Sequence, residues 1–154
     1  MEPEKKIGLV FSGCLLLDKM FYNISMFEVR VEAGFSAAHF LRDYHGKCEN
    51  LHGHNYKVYA HVRGNTLDAG GMLLDFSILK KALRSVCSEL DHTNLNDMED
   101  FDQNPSAERI AYYIYCDILK KLPEYVYTGD KEANHLYAVD VFETDTSRAR
   151  YTIY

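Results

Sequence analysis

The chain has 154 residues, 47% of them hydrophobic, with twelve Tyr and eight Phe; this suits one compact domain with its own core and excludes a disordered chain. A formal charge of −6 excludes a nucleic-acid surface, which needs clustered excess Lys and Arg. Four scattered cysteines (Cys14, Cys48, Cys87 and Cys116) do not make a dense disulfide framework, and a reducing cytoplasm fits them best.

Residues 1–25 read differently from the rest. Their apolar run, Ile7 to Leu17, is too short to span a bilayer, so no membrane partner is expected. Lys5-Lys6 followed by an apolar stretch and Cys14 imitates an export signal. The segment reads equally as an added strand, as an arm, or as sequence ahead of a natural start at Met26, and 26–154 is taken as the single domain. From there Phe27, Val29, Val31, Ala33 and Phe35 alternate with polar residues, the pattern of a half-buried strand, and His39 continues its apolar parity. Arg42 to Glu49 reads as a loop. His52, His54, Tyr56, Val58, Ala60 and Val62 then share one face of a second strand.

A turn-rich connection, Asn65 to Gly71, leads to Asp75 as the N-cap of a helix with Phe76, Leu79, Leu83, Val86 and Leu90 as its apolar stripe. A second helix is expected from Asn104 as cap and Pro105 as first residue, burying Ala107, Ile110, Ala111, Ile114, Ile118 and Leu122 and stopping at Pro123. Tyr137, Val139, Val141 and Glu143 pattern a third strand. Thr144 to Ser147 forms a turn, and Ala149, Tyr151 and Ile153 pattern a fourth strand. The order ββααββ predicts an α+β fold, a four-stranded antiparallel sheet with two helices. Its open edges would be removed if several subunits closed a barrel.

Three histidines are placed for a divalent metal: His52 and His54 point to one side of a strand, and His39 supplies a third imidazole. Cys48 is a fourth ligand that closes the site, a thiol available for chemistry, or a small buried residue; spacing does not choose. Asp91-His92, ending the first helix, is either an ordinary helix terminus or a proton-transfer pair. Glu143 is a solvated strand end or an acceptor for paired N–H donors. His45, His61 and His135 are taken as ordinary polar residues.

Six segments together resemble one family. They are Phe35-Ser36-Ala37-Ala38-His39, Cys48-x-x-x-His52-Gly53-His54, Gly71-Met72 with Asp75-Phe76, Leu90-Asp91-His92, Asn104-Pro105-Ser106-Ala107-Glu108 and Phe142-Glu143-Thr144. In this order, over roughly Met26 to Tyr154, they look like the 6-pyruvoyltetrahydropterin and 6-carboxytetrahydropterin synthases. The resemblance implies the tunnelling fold (T-fold), with trimers closing a barrel and two trimers stacking into a homohexamer. It implies Zn2+ held by His39, His52 and His54 with Cys48 free. Cys48, Asp91 and His92 become the catalytic set, assembled across a subunit boundary, and Glu143 the anchor for the amino-pyrimidine edge of a pterin.

The implied substrate is 7,8-dihydroneopterin triphosphate. Arg42 and Lys47 are candidates for its triphosphate, or else solvated loop charges. The three residues between Cys48 and His52 match the bacterial carboxy branch, a carbon–carbon lyase that makes 6-carboxy-5,6,7,8-tetrahydropterin, releases acetaldehyde and feeds queuosine and other 7-deazaguanine synthesis. Glu49 departs from that pattern. A glutamate near this place accompanies folate-type cleavage to 6-hydroxymethyl-7,8-dihydropterin in a related branch, so Glu49 either adds that activity or is a solvated carboxylate. Two rival readings stand beside these: formation of 6-pyruvoyltetrahydropterin, and a non-catalytic zinc module closed by Cys48.

Overall fold

The computed structural model describes residues 26–153; the expectations for residues 1–25 lie outside them. Strands β1, Phe27–His39, and β2, His52–Gly64, pair antiparallel without a break from Phe27 opposite Gly64 to His39 opposite His52. Helices α1, Phe76–Leu90, and α2, Ala107–Lys121, follow before β3, His135–Thr144, and β4, Ser147–Thr152. The sheet order is β1-β2-β3-β4 and every pairing is antiparallel, as expected for the ββααββ order. A short turn carries the chain from Thr144 back to Ser147, which face each other.

Alternation decides which face of the sheet is covered. Val31, Phe35, Val58, Ala60, Val62, Val139 and Val141 are buried against Leu79, Leu83, Val86 and Leu90 of α1 and Ile110, Ala111, Ile114 and Ile118 of α2. Each of the Val, Leu, Ile and Phe side chains among them contributes roughly 1.5–3 kcal/mol when fully buried. Helix α1 packs mainly on β1, and α2 on β3 and β4. Asp75 caps α1, its carboxylate accepting from Ser77 N at 2.7 Å. Phe76, expected in the apolar stripe, is instead 59% exposed, because at the first helical position it lies beyond the edge of the sheet-facing stripe that begins at Leu79.

Two further expectations are corrected. Helix α2 begins at Ala107 with Ser106 as its cap, because Asn104 and Pro105 are engaged elsewhere. The Asn104 side-chain oxygen Oδ1 accepts from Arg42 N at 3.1 Å and the Pro105 backbone carbonyl takes a histidine N–H. In β3, Tyr137 does not share the face of Val139 and Val141. The register shifts between His61 opposite Ala138 and Val62 opposite Leu136, so Tyr137 has no opposite number. This bulge hands the core position to Leu136, which is fully buried.

The bulge turns Tyr137 to the sheet face away from the helices, where a polar line crosses all four strands. Tyr137 donates to Glu28 Oε2 at 2.6 Å, and the other Glu28 oxygen lies 3.0 Å from His61 Nδ1. His61 Nε2 is 2.7 Å from Asp140 Oδ2, and Arg150 grips both Asp140 oxygens at 2.7 Å. His61 and Asp140 are buried, and His135 is buried too, with Nδ1 donating to Ala133 O at 2.6 Å and Nε2 accepting from Arg63. Both histidines, taken from the sequence as ordinary polar residues, are thus buried and hydrogen-bonded. None of the described helices is long and apolar enough to cross a membrane.

Candidate metal centre

The three-histidine cluster follows from the β1–β2 register. His39 faces His52 directly, and His54 faces Ala37 two residues back along β1. All three side chains therefore leave the sheet on one face at its end. Their ring centroids are 4.5 Å (His39–His52), 5.3 Å (His39–His54) and 5.0 Å (His52–His54) apart. One nitrogen from each lies within 4.8 Å of the others. Among the described residues, the Cys48 thiol is not part of this convergent set. It sits half-buried on a short 3-10 turn, Lys47–Glu49.

The donor chemistry fits a metal. His39 Nδ1 donates to the Pro105 carbonyl and His52 Nδ1 to the Asn50 carbonyl, both at 2.8 Å. Each contact fixes the tautomer and leaves Nε2 as a lone pair, as carbonyls behind metal-bound imidazoles do. His39 is 1% exposed and its Nε2 has no hydrogen-bond partner, a costly state for a buried polar atom unless a ligand completes it. Burial, then the neighbouring His52 and His54, hold the His39 imidazole below its usual range, against the opposing pull of Pro105 and Glu143. Burial thus favours the neutral form that binds metal. Three converging imidazoles are a donor set that a divalent metal ion can take. The two carbonyl partners are the part of the site that alternation along the strands did not reveal.

Glu143 joins the cluster from β3. Its Oε1 is 3.7 Å from His39 Nε2, beyond hydrogen-bond length, and its side chain is 26% exposed. Asp91 and His92 occupy the outer edge of β1, where the chain leaving α1 runs alongside the strand. Ser36 N donates to Asp91 Oδ1 at 2.7 Å, His92 N to Ser36 O at 2.6 Å and Ala38 N to Thr93 O at 2.9 Å. His92 adopts a left-handed backbone (φ 57°) and turns its Nδ1 to within 2.8 Å of Asp91 Oδ2. The Ser36 and His92 contacts outweigh the small cost of desolvation and hold the Asp91 carboxyl below its usual range. A cleft of about 410 Å³ lies between Ser36–Ala38, Gly53–Asn55 and His92–Thr93 and reaches His54.

Other candidates are engaged locally. Glu49 accepts from His45 N at 3.0 Å, closing its own loop. Arg42 donates through Nε to Gln103 O at 3.3 Å and lies over the Phe40 ring.

A sequence model of the 6-pyruvoyl tetrahydropterin synthase family matches residues 28–153. The 6-carboxy-5,6,7,8-tetrahydropterin synthase of Bacillus subtilis is 39% identical over 133 residues, 81% of this chain and 84% of its own length. That of Synechocystis is 38% identical over 131 residues, 82% and 93%. The human 6-pyruvoyl tetrahydrobiopterin synthase is 37% identical over 139 residues, 80% and 90%. Among solved structures, the 6-pyruvoyl tetrahydropterin synthase of Caenorhabditis elegans superposes with a TM-score of 0.69 at 28% identity, covering 85% of this chain and 98% of that one. The Plasmodium vivax enzyme gives 0.64 at 27%, covering 84% and 100%. The four-stranded sheet with its two helices is thus the T-fold of these enzymes, and the chain belongs to the 6-pyruvoyl tetrahydropterin synthase family as a tetrahydropterin synthase.

Proposed function

We propose that the chain is a zinc-dependent lyase that converts 7,8-dihydroneopterin triphosphate to 6-carboxy-5,6,7,8-tetrahydropterin, releasing acetaldehyde and triphosphate, on the route to queuosine and other 7-deazaguanines. The observation that carries this reading is a cluster of three converging imidazoles from which Cys48 is left out. A closed Cys–His₃ site would need the thiol among them. The names of the bacterial relatives at 38–39% identity support the carboxy branch.

In this reading His39, His52 and His54 would hold the metal, which when bound would supply Lewis-acid chemistry that makes a substrate C–H more acidic. Cys48, free of ligation, takes up a proton from the substrate side chain. His92, oriented through Nδ1 by the Asp91 carboxylate, delivers or removes a proton with its remaining nitrogen. Cys48 of one subunit and Asp91-His92 of another work together in a homohexamer. Glu143 accepts the paired N–H donors of the amino-pyrimidine edge and so orients the ring.

Incubation of the zinc-loaded protein with dihydroneopterin triphosphate, followed by mass identification, tests this. Acetaldehyde and the carboxylated pterin are expected. Accumulation of the pyruvoyl product, the activity named for the human relative, or of 6-hydroxymethyl-7,8-dihydropterin would overturn the carboxy assignment. The engagement of Glu49 within its own loop speaks against the last.

A further inference from the structure

Two buried side-chain atoms at the three-histidine cluster lack hydrogen-bond partners, His39 Nε2 and the Tyr56 hydroxyl. The first is explained by a ligand role. The second is not, because a phenol is no part of the proposed metal set. Tyr56 is 2% exposed, its ring stacked on Phe35 with centroids 4.6 Å apart. It stands edge-on to His39 and His54 at 6.0 and 5.5 Å. Packing alone would be served by phenylalanine; a buried O–H without an acceptor is a cost.

The sheet supplies the acceptor. Lys57 faces Phe142 across β2 and β3, so Glu143 comes next to Tyr56 on the helix-covered face. From β3 the carboxylate reaches to 3.7 Å from His39 on β1 and must cross β2 at the level of His54 and Tyr56. A phenol keeps its proton at neutral pH, so the Tyr56 hydroxyl is a donor that needs an acceptor.

We propose that Tyr56 is the positioning residue for Glu143. When His39 Nε2 serves as a ligand, the carboxylate turns to the Tyr56 hydroxyl and accepts its hydrogen bond. A carboxylate has about four lone-pair sites, so this bond fixes its plane and still leaves two oxygens for the parallel N–H donors of a pterin. The inference rests on the reading of Glu143 as the pterin anchor.

Calorimetric titration of neopterin into the zinc-loaded full chain, for the wild type, Tyr56→Phe, Glu143→Ala and the double variant, tests it. Tyr56→Phe is expected to weaken binding about tenfold, the effect of one hydrogen bond to a charged acceptor, with unchanged zinc content. In the Glu143→Ala background the same change should alter binding less than about twofold, since coupled residues are not additive. Metal-free Tyr56→Phe should melt no lower than the wild type, because it removes an orphaned hydroxyl. Unchanged binding in Tyr56→Phe, an equal loss in both backgrounds, or a lowered metal-free melting temperature would each overturn the assignment. If Glu143→Ala binds neopterin as the wild type does, the anchor reading itself fails. A weakened Glu143→Ala beside an unaffected Tyr56→Phe sinks the Tyr56 role alone.

Discussion

Asp91 Oδ2 and His92 Nδ1 lie 2.8 Å apart just beyond the last residue of α1, and the same carboxylate takes the Ser36 N–H through its other oxygen. The pair is therefore tied to the edge of the strand that carries His39, and the 82% exposed His92 side chain leaves its second nitrogen open for the proton transfer proposed above. Asp91→Asn retains an oxygen for Ser36 but removes the charge that supports an imidazolium. Turnover should fall about 100-fold, the low end for loss of general acid–base assistance, with the melting temperature little changed. Steady-state rates beside a thermal scan check both parts.

Cys48 stands outside the convergent histidines, so Cys48→Ala should retain stoichiometric zinc and a wild-type melting curve while losing turnover at least about 100-fold. Metal analysis on the purified variant decides the point. Loss of zinc together with unfolding would make Cys48 a fourth ligand and the site structural.

Chelation should act on the whole domain end. Stripping the metal leaves His39 Nε2 buried and unpartnered, so the apoprotein is expected to melt lower than the loaded form and to regain both stability and activity when zinc is returned. His39→Ala should abolish that zinc-dependent shift in a thermal scan.

On the opposite sheet face, the burial penalty on Asp140 is overcome by hydrogen bonds and ion pairing with Arg150 and His61, which hold its carboxyl below the usual range. Burial opposes ionisation of Glu28 too, but its bonds to Tyr137 and His61 outweigh it and lower this group likewise. A carboxylate depressed on folding contributes stability above its unfolded pKa and loses it as pH falls through the folded value. The contribution is thus full at neutral pH and vanishes in acid. Asp140→Ala, which leaves Arg150 and His61 without their acceptor, should cost about 3 kcal/mol at pH 7. In urea titrations the gap from wild type should narrow steadily below about pH 4.

Glu49→Ala removes the acceptor of His45 N. A cost of up to about 1 kcal/mol is expected for one exposed hydrogen bond, with the same products by mass spectrometry. A product that disappears in this variant would give Glu49 a chemical role.

The three-histidine cluster was legible because it depends only on strand parity. His39 continues the apolar face of β1, His52 and His54 share a face of β2, and an antiparallel register carried to the strand ends brings them together. The Asp75 cap was legible for a similar reason, since it depends on residues immediately beside it. What parity cannot show is a shift in it. Nothing in the alternation around Tyr137 signals the bulge that sends it across the sheet. His61 reads as a polar residue of the wrong parity until Glu28 and Asp140, 33 and 79 residues away, close on it. Asn104 and Pro105 have the composition of a helix start, but long-range contacts to Arg42 and His39 claim them.

The line from Glu28 through His61 and Asp140 to Arg150 joins the beginning of the first strand to the last one. Strand β4 has six residues and forms the far edge of the sheet, the place where amide protons would ordinarily exchange first by fraying. Its grip on Asp140 makes opening of that edge also an opening of the bonds that reach β1. Exchange protection at the two edges should therefore rise and fall together, with the outer hairpin behaving as part of the same cooperative unit as the strand that carries His39.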